Sequence, residues 1–383
     1  MLRKGTFILM KTKIQDMTSG SPGRLIILFA IPLMLGNICQ QLYTMVDTMV
    51  VGQIAGVEAL AALGAVDFLM WVVTGISTGL TQGFSIQLSQ YYGAKDFENL
   101  RKSLAHSYRL TAFIAVGVFI LSQSFAALVL TGLHTPSNII GMSLLYLRII
   151  FCGIPATAAY NMFAAALRAM GNSKTPLTAM IIASVLNISL DILFVAGFGW
   201  GVAGAAIATV IAQSFSAVYC FLILRRIDIV HLSRADFMSA AGMNARLMKL
   251  GIPVVFQNII IGVGGLVVQY VINGYGFLFV AGFTATNKLY GLLEMAAISY
   301  GYAIVTYVGQ NLGAGKIDRI RKGVRSSMLL SLLTSLIISI AMFLFGKNIL
   351  SLFISGEPQQ TQQVLAIAFK YLSIMAAMLW VLY

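Results

Sequence analysis

QYYGAKDFENLRKS, residues 90–103, returns as QNLGAGKIDRIRKG at 310–323. Each copy closes an apolar run and opens a basic one. A second matched pair lies upstream: AIPLMLGN at 30–37 and GIPVVFQN at 251–258, with Pro32 and Asn37 answering Pro253 and Asn258. The offset is 221 residues for the upstream pair and 220 for the downstream pair. The chain is therefore two copies of one plan.

What lies between the markers is apolar. Of 383 residues, 59% are hydrophobic and 10% charged, against roughly 25% charged in soluble domains. About 20 apolar residues cross a bilayer as a helix. Ten such spans are expected, near 25–50, 58–90, 104–131, 138–167, 176–198, 201–224, 250–273, 279–310, 326–346 and 360–383. Six spans separate the two copies. That number is even, so both copies enter the membrane from the same face, as parallel repeats about an axis along the membrane normal. This is a transporter architecture, with the substrate path between the halves.

The expected fold is an all-α integral membrane protein of two six-helix lobes, the second truncated to about four helices. Residues 1–24 read as a tail, 25–224 as the first lobe, 225–249 as a polar basic linker, and 250–383 as an incomplete second lobe. Orientation follows from Lys and Arg. Of 25, 21 fall in the tail, the linker and the loops after spans two, four and eight, while the opposite loops hold only Lys347. The positive-inside rule puts the N-terminus and linker in the cytoplasm of a multi-pass plasma-membrane protein. The net charge of +13 is then topology and headgroup contact, not a nucleic-acid site.

Polar groups inside the spans carry the chemistry. Asn37, Gln40, Gln41, Thr44, Asp47 and Thr48 follow helical spacing and form one stripe on span one. Such a stripe cannot face lipid, so it faces the bundle interior or a water-filled cavity. Span five brings Ser184, Asn187 and Asp191 onto one face. Two acids in one half can share a proton or a cation. The alternatives are a buried hydrogen-bond seam and separately satisfied structural acids. Pro32 lies about 22 Å along the helix from Asp47 at 1.5 Å per residue, and with Gly36 nearby it lets the helix bend.

Other membrane charges are candidates for substrate or structural roles. Asp67 and Arg148 lie at similar depth and suggest a structural salt bridge. Lys288 occupies the repeat position of Asp67. With Glu294 and Lys370 it gives the second half its own polar set, and Glu294 could meet a cationic substrate.

An enzyme is not expected, and no catalytic residue is assigned. GISTG, 75–79, fits a hydrolase elbow in letters only; inside an apolar helix its small residues serve close packing. His106, His134 and His231 all sit at loops or span ends. Cys39, Cys152 and Cys220 match no zinc or redox spacing, and no metal site is expected. No phosphate-binding loop is present, so the energy source is an ion gradient.

Together these features resemble the multidrug and toxic compound extrusion (MATE) family of secondary transporters. The likeness runs from about Met17 to Tyr383. It is carried by AIPLMLGNICQQLYTMVDTMVVG, EALAALGAV, YYGAKD, YLRIIFCGIP, AALRAMGNSKTP and GWGVAGAAIATVIAQ. The resemblance implies twelve helices in two lobes. It implies export of drugs, often organic cations, against inward H⁺ or Na⁺. No cofactor is expected, and a monomeric chain is expected to meet only small-molecule drugs or toxic organic cations and the lipid bilayer. In the branch resembling bacterial DinF proteins, a first-helix acid and an Asn/Asp pair form the cation site. Asp47, Asn187 and Asp191 match those positions, and Pro32 matches a proline whose bending accompanies protonation. A carboxylate used elsewhere in the family falls at Ile261 here, so that second site is not supported. The alternative within the wider superfamily is a lipid-linked saccharide flippase, whose cavity should be more cationic.

Overall fold

A computed structural model describes residues 14–133, 135–238, 240–275, 277–351 and 358–383. Among them every regular element is helical. The first half contains α1 (Pro22–Val50), α2 (Val57–Gly64), α3 (Asp67–Gly93), α4 (Phe97–Gly132), α5 (Ile140–Cys152), α6 (Ile154–Ala169), α7 (Lys174–Asp191) and α8 (Gly201–Leu224). The second contains α9 (Met243–Asn273), α10 (Phe277–Gly313), α11 (Ile317–Ser351), α12 (Pro358–Ala377) and the short α13 (Leu379–Leu382).

Eight of these helices, with their continuations, are long and apolar enough to cross a membrane; the pair α5–α6, bent by 45°, makes a ninth. The bend falls at Gly153, followed by Pro155, which has no N–H to continue the ladder. The tenth expected span is helical as α12 and α13, but α12 opens on Gln359, Gln360, Thr361, Gln362 and Gln363 and is not among the eight. Large apolar side chains point outward all round, Phe113 at 79% and Tyr270 at 83% exposure among them. In water such a surface would aggregate; in a bilayer lipid covers it.

The repeat is visible in the packing. α1 lies against α10, and α3 lies against α9. The repeat offset exchanges α1 with α9 and α3 with α10, so these are one contact seen twice. α3 and α10 also touch across the pseudo-twofold. A Cβ on Gly93 would collide with the Gln310 carbonyl, and one on Gly313 with the Gln90 carbonyl. These four residues are two repeat-related pairs, and glycine is what lets the two backbones meet. α3 and α9 are equally close: a Cβ on Gly79 would lie 2.9 Å from the Val255 nitrogen, and Gly83 abuts Gly251. Gly79 belongs to GISTG, whose small residues pack helix on helix.

All the described basic segments gather at one end. Gln310 Nε2 donates to the Ala169 carbonyl (2.8 Å), joining the α10–α11 turn to the α6–α7 turn. Arg101 pairs with Asp236 of the linker at 3.8 Å. This end is called the basic end below. One apolar core lies within the first lobe, a second extends from it onto Met243 and Leu247 of α9, and one smaller core fills the second lobe between α10, α11 and α12. A further core lies between the lobes, where Ile26, Phe29, Ala30 and Leu33 of α1 meet Tyr300, Ala303 and Tyr307 of α10. Met17, inside the expected tail, is fully buried in it.

Candidate functional site

The two acids expected to matter come to the same part of the first lobe. Asp47 is 5% exposed on α1 and Asp191 is 0% exposed as the last residue of α7. Their helices, α1 and α7, pack against one another. Just beyond each acid the helix widens into a π-turn, Val51–Ala55 after α1 and Ile192–Gly197 after α7. The two π-turns pack together. Wide turns of this kind are rare and collect at functional sites. Here they end the regular backbone where the acids lie.

The site is rich in oxygen acceptors and poor in donors. Asp47 Oδ1, Asn187 Oδ1, both carboxylate oxygens of Asp191 and Gln213 Oε1 are buried and accept no hydrogen bond from the described residues. Asn187 Nδ2 donates to Thr209 Oγ1 at 3.5 Å, and Gln213 Nε2 donates to the Tyr43 hydroxyl at 3.2 Å. Each amide nitrogen thus bonds a neighbouring hydroxyl while its oxygen stays buried and unpaired. A buried polar atom without a partner costs about 1–3 kcal/mol, more for a charged group. Such a set of oxygens fits a proton or a hard monovalent cation. Thr209 and Gln213 of α8 and Tyr43 of α1 were not singled out in the sequence. GWGVAGAAIATVIAQ holds Thr209 and Gln213 at i, i+4, which is the signal that could have found two of them.

The polar stripe divides along its length. Asn37 Nδ2 donates to Ser299 Oγ of α10 at 3.2 Å. Gln41 lies near Gly291 of the same helix. Thr44 and Thr48 return their hydroxyls to the carbonyls of Gln40 and Thr44, and Thr44 is exposed. So one edge of the stripe faces the second lobe, while Tyr43 and Asp47 turn into the first. Asn258, the repeat partner of Asn37, does the mirror operation: its Nδ2 donates to the Gly75 carbonyl of α3 at 3.0 Å.

Pro32 is buried inside α1. A small cavity of about 20 Å³ lies beside it, lined by Pro32, Gly36, Tyr160, Leu177 and Tyr302 among others. Arg168 also lines it and rests its guanidinium 4.5 Å from the Tyr302 ring centre. A larger cavity of about 400 Å³ lies between the lobes; Trp71, Thr78, Asn258, Glu294 and Tyr302 are in its wall. Glu294 is its only charged lining residue among those described, and is half-buried. Asp67 opens α3 and is exposed, and Arg148 sits on exposed α5 surface with its carbonyl accepting from Gln123 at 2.8 Å. Lys288 lies in α10, its side chain outside the described residues, as is His134. Lys370 is exposed on α12.

Two related membrane bundles, a cavity between them and a separate buried acid site in one of them are the arrangement of a membrane transporter built from repeats. Likeness to known proteins makes the class specific. The MatE family model matches residues 32–193 and 253–382, and the chain belongs to that family, the MATE transporters. It is 31% identical to the probable multidrug resistance protein YpnP of Bacillus subtilis, covering 90% of this chain and 77% of that one. It is 29% identical to the probable multidrug resistance protein YoeA of the same organism, covering 94% and 78%. Among solved structures it superimposes on a MOP superfamily transporter from Pyrococcus furiosus with a TM-score of 0.90 at 22% identity, covering 96% of this chain and 81% of that one. An outward-facing multidrug resistance MATE transporter matches with a TM-score of 0.89, also at 22% identity, with the same coverage. The family is one of transporters and not of enzymes.

Proposed function

We infer that this chain exports organic, often cationic, compounds in antiport with H⁺ or Na⁺, using Asp47, Asn187 and Asp191 as the coupling site. The observation that carries the reading is the separation of two polar centres. The bare oxygens of the first lobe suit a small cation; the cavity between the lobes, with Trp71, Tyr302 and Glu294 in its wall, suits a larger one that is flat and apolar. An aromatic face and a carboxylate both attract organic cations. With the basic end in the cytoplasm, that end is the one held shut. Asp47 and Asp191 take up the coupling ion from outside, which removes unpaired charge from the lobe. α1 then bends at Pro32, and drug leaves outward. Lobes at 25–224 and 250–383, joined by the linker 225–249, are the moving bodies, and the chain acts as a monomer.

Asp47→Asn tests this directly. Ethidium uptake into vesicles under an imposed pH or Na⁺ gradient should fall to background, while ethidium binding to the purified protein persists. Normal gradient-driven uptake by the variant would sink the mechanism. The same assay separates the two ions, since one gradient should drive uptake without the other. A saccharide-lipid flippase would move ethidium under neither gradient, and its cavity would need cations where this one has an acid.

A further inference from the structure

The residues before α1 are fastened to the wrong lobe. α1 carries Asp47 and belongs by sequence to the first lobe, yet its lead-in is bonded to the second. Met17 N donates to Gln310 Oε1 at 3.0 Å, and Asn311 Nδ2 donates to the Met17 carbonyl at 2.9 Å. Arg319 Nη2 reaches the same carbonyl at 3.3 Å, and its Nη1 reaches the Gly20 carbonyl at 2.9 Å. Lys316 Nζ donates to the Thr18 carbonyl at 2.9 Å. The Met17 side chain is fully buried against α1 and α10. Against these bonds, among the described residues the first lobe holds the segment at Gln15 alone, whose N donates to the Gly171 carbonyl at 3.1 Å, whose Nε2 donates to the Leu25 carbonyl of α1 at 3.3 Å, and whose backbone packs on Gly171. Asp16 shapes the turn by accepting from Thr18 N at 2.7 Å and Ser19 Oγ at 3.1 Å.

The lead-in to α9 is fastened the opposite way. The offset of 221 carries Met17 onto Met238. The Met238 carbonyl accepts from His106 Nε2 of α4 at 3.1 Å, and the Phe237 carbonyl from Arg109 Nη1 at 3.4 Å. Asp236, which forms a capping box with Ser233, pairs with Arg101 of α4. Each proline-bearing first helix is thus tied at its basic end to the other lobe. Higher up, α1 bonds to both lobes: Asn37 Nδ2 donates to Ser299 Oγ of α10 at 3.2 Å, and nearer Asp47 its own lobe takes over, with Ser184 Oγ donating to the Cys39 carbonyl at 3.5 Å and Gln213 to Tyr43. Pro32 lies between the lead-in and these first-lobe bonds.

We propose that residues 15–20 are a strap that keeps the basic end of α1 on the second lobe throughout transport. When the lobes part at that end, the break falls at the Ala169–Gly171 turn, and α1 swings about Pro32 because its two ends travel with different bodies. The strap thereby turns movement of the lobes into bending of the helix that carries Asp47, and the reverse. This rests on the alternating-access reading above.

The test uses single cysteines in the full chain with Cys39, Cys152 and Cys220 replaced by alanine, each variant first shown to bind ethidium. Ser89→Cys reports the seam, since Ser89 is fully buried and packs against Gly309 of α10. Met17→Cys reports the strap. Proteoliposomes are treated with N-ethylmaleimide at rest and during gradient-driven ethidium transport, and modification is read by mass spectrometry. The expected result is a seam thiol labelled during transport and a strap thiol protected throughout. Labelling of the strap thiol in step with the seam thiol overturns the strap and leaves alternating access standing. Labelling of neither overturns both. Should Met17→Cys fail to fold, Thr18→Cys with and without Arg319→Leu gives the same information. Loss of the Arg319 bonds should raise labelling of the Thr18→Cys thiol at rest about tenfold, as for loss of charged hydrogen bonds; no change overturns the strap.

Discussion

Lys95 and Asp96 show how residue-scale chemistry sets the turn between α3 and α4. Lys95 has φ +58°, the one left-handed non-glycine among the described residues. Its repeat counterpart is Gly315, at φ +69°. A side chain in that region costs roughly 1–2 kcal/mol relative to right-handed backbone. Lys95→Gly should therefore stabilise the folded protein, by less than about 1 kcal/mol once glycine's greater freedom in the unfolded chain is counted. Thermal unfolding in detergent measures it. Asp96 caps α4: Oδ1 accepts from Asn99 N at 3.1 Å and Oδ2 from Asn99 Nδ2 at 2.7 Å. These bonds hold its carboxyl below the usual aspartate range. A depressed folded-state value means stabilisation that is present above the unfolded value and lost as pH falls through the folded one. Asp96→Ala should cost about 1 kcal/mol at neutral pH, and the difference from the parent should begin to shrink only as the pH falls through about 4, continuing to fall through the lower value that the folded carboxyl has. A difference that persisted in acid would mean the cap is not what the substitution removes.

At the scale of elements, α1 and α9 are the informative pair. The shared proline and asparagine of AIPLMLGN and GIPVVFQN were legible as a repeat, but their reason was not. Each asparagine reaches across to a long helix of the opposite lobe, Asn37 to α10 and Asn258 to α3. A linear sequence gives the spacing within a helix and not the helix it faces. The π-turns were not legible for a related reason: no residue in VGQIA or ILFVAG dictates a wider turn, and the packing of the two π-turns on one another is a tertiary contact. Asp47 and Asp191 were legible, because a carboxylate at membrane depth is too costly to keep unless it is used. Thr209 and Gln213 were not, since neutral polar residues are common in such helices. The proline makes a direct prediction. Proline inside a helix costs about 3 kcal/mol relative to alanine. Pro32→Ala should favour the straight helix on the order of a hundredfold, so ethidium binding should survive while its gradient-driven transport slows steeply. Transport at the parent rate would show that α1 does not need to bend there.

For the whole molecule, the pseudo-twofold is both the most legible feature and the most testable. The repeat foretold two parallel halves, and the packing has them, down to reciprocal glycines. What the repeat could not foretell is the crossing of lead-ins, because the tail reads as polar and basic and nothing in it announces that Met17 is core. Gly93 and Gly313 sit in equivalent places and should behave equivalently. A methyl group on either meets a backbone carbonyl of the other lobe, and a carbonyl in a helix cannot turn aside as a side chain can. Overpacking of this kind costs about 1–3 kcal/mol. On the alternating-access proposal the cost falls only on the state in which the basic end is shut, so Gly93→Ala and Gly313→Ala should each shift the resting population toward the parted state, by roughly five- to a hundredfold on that energy. The reporter is again the Ser89→Cys thiol: each glycine substitution should raise its labelling at rest, and by similar amounts. A large effect from one glycine and none from the other would mean that the two halves do not share the seam, and that the symmetry of the sequence stops short of the mechanism.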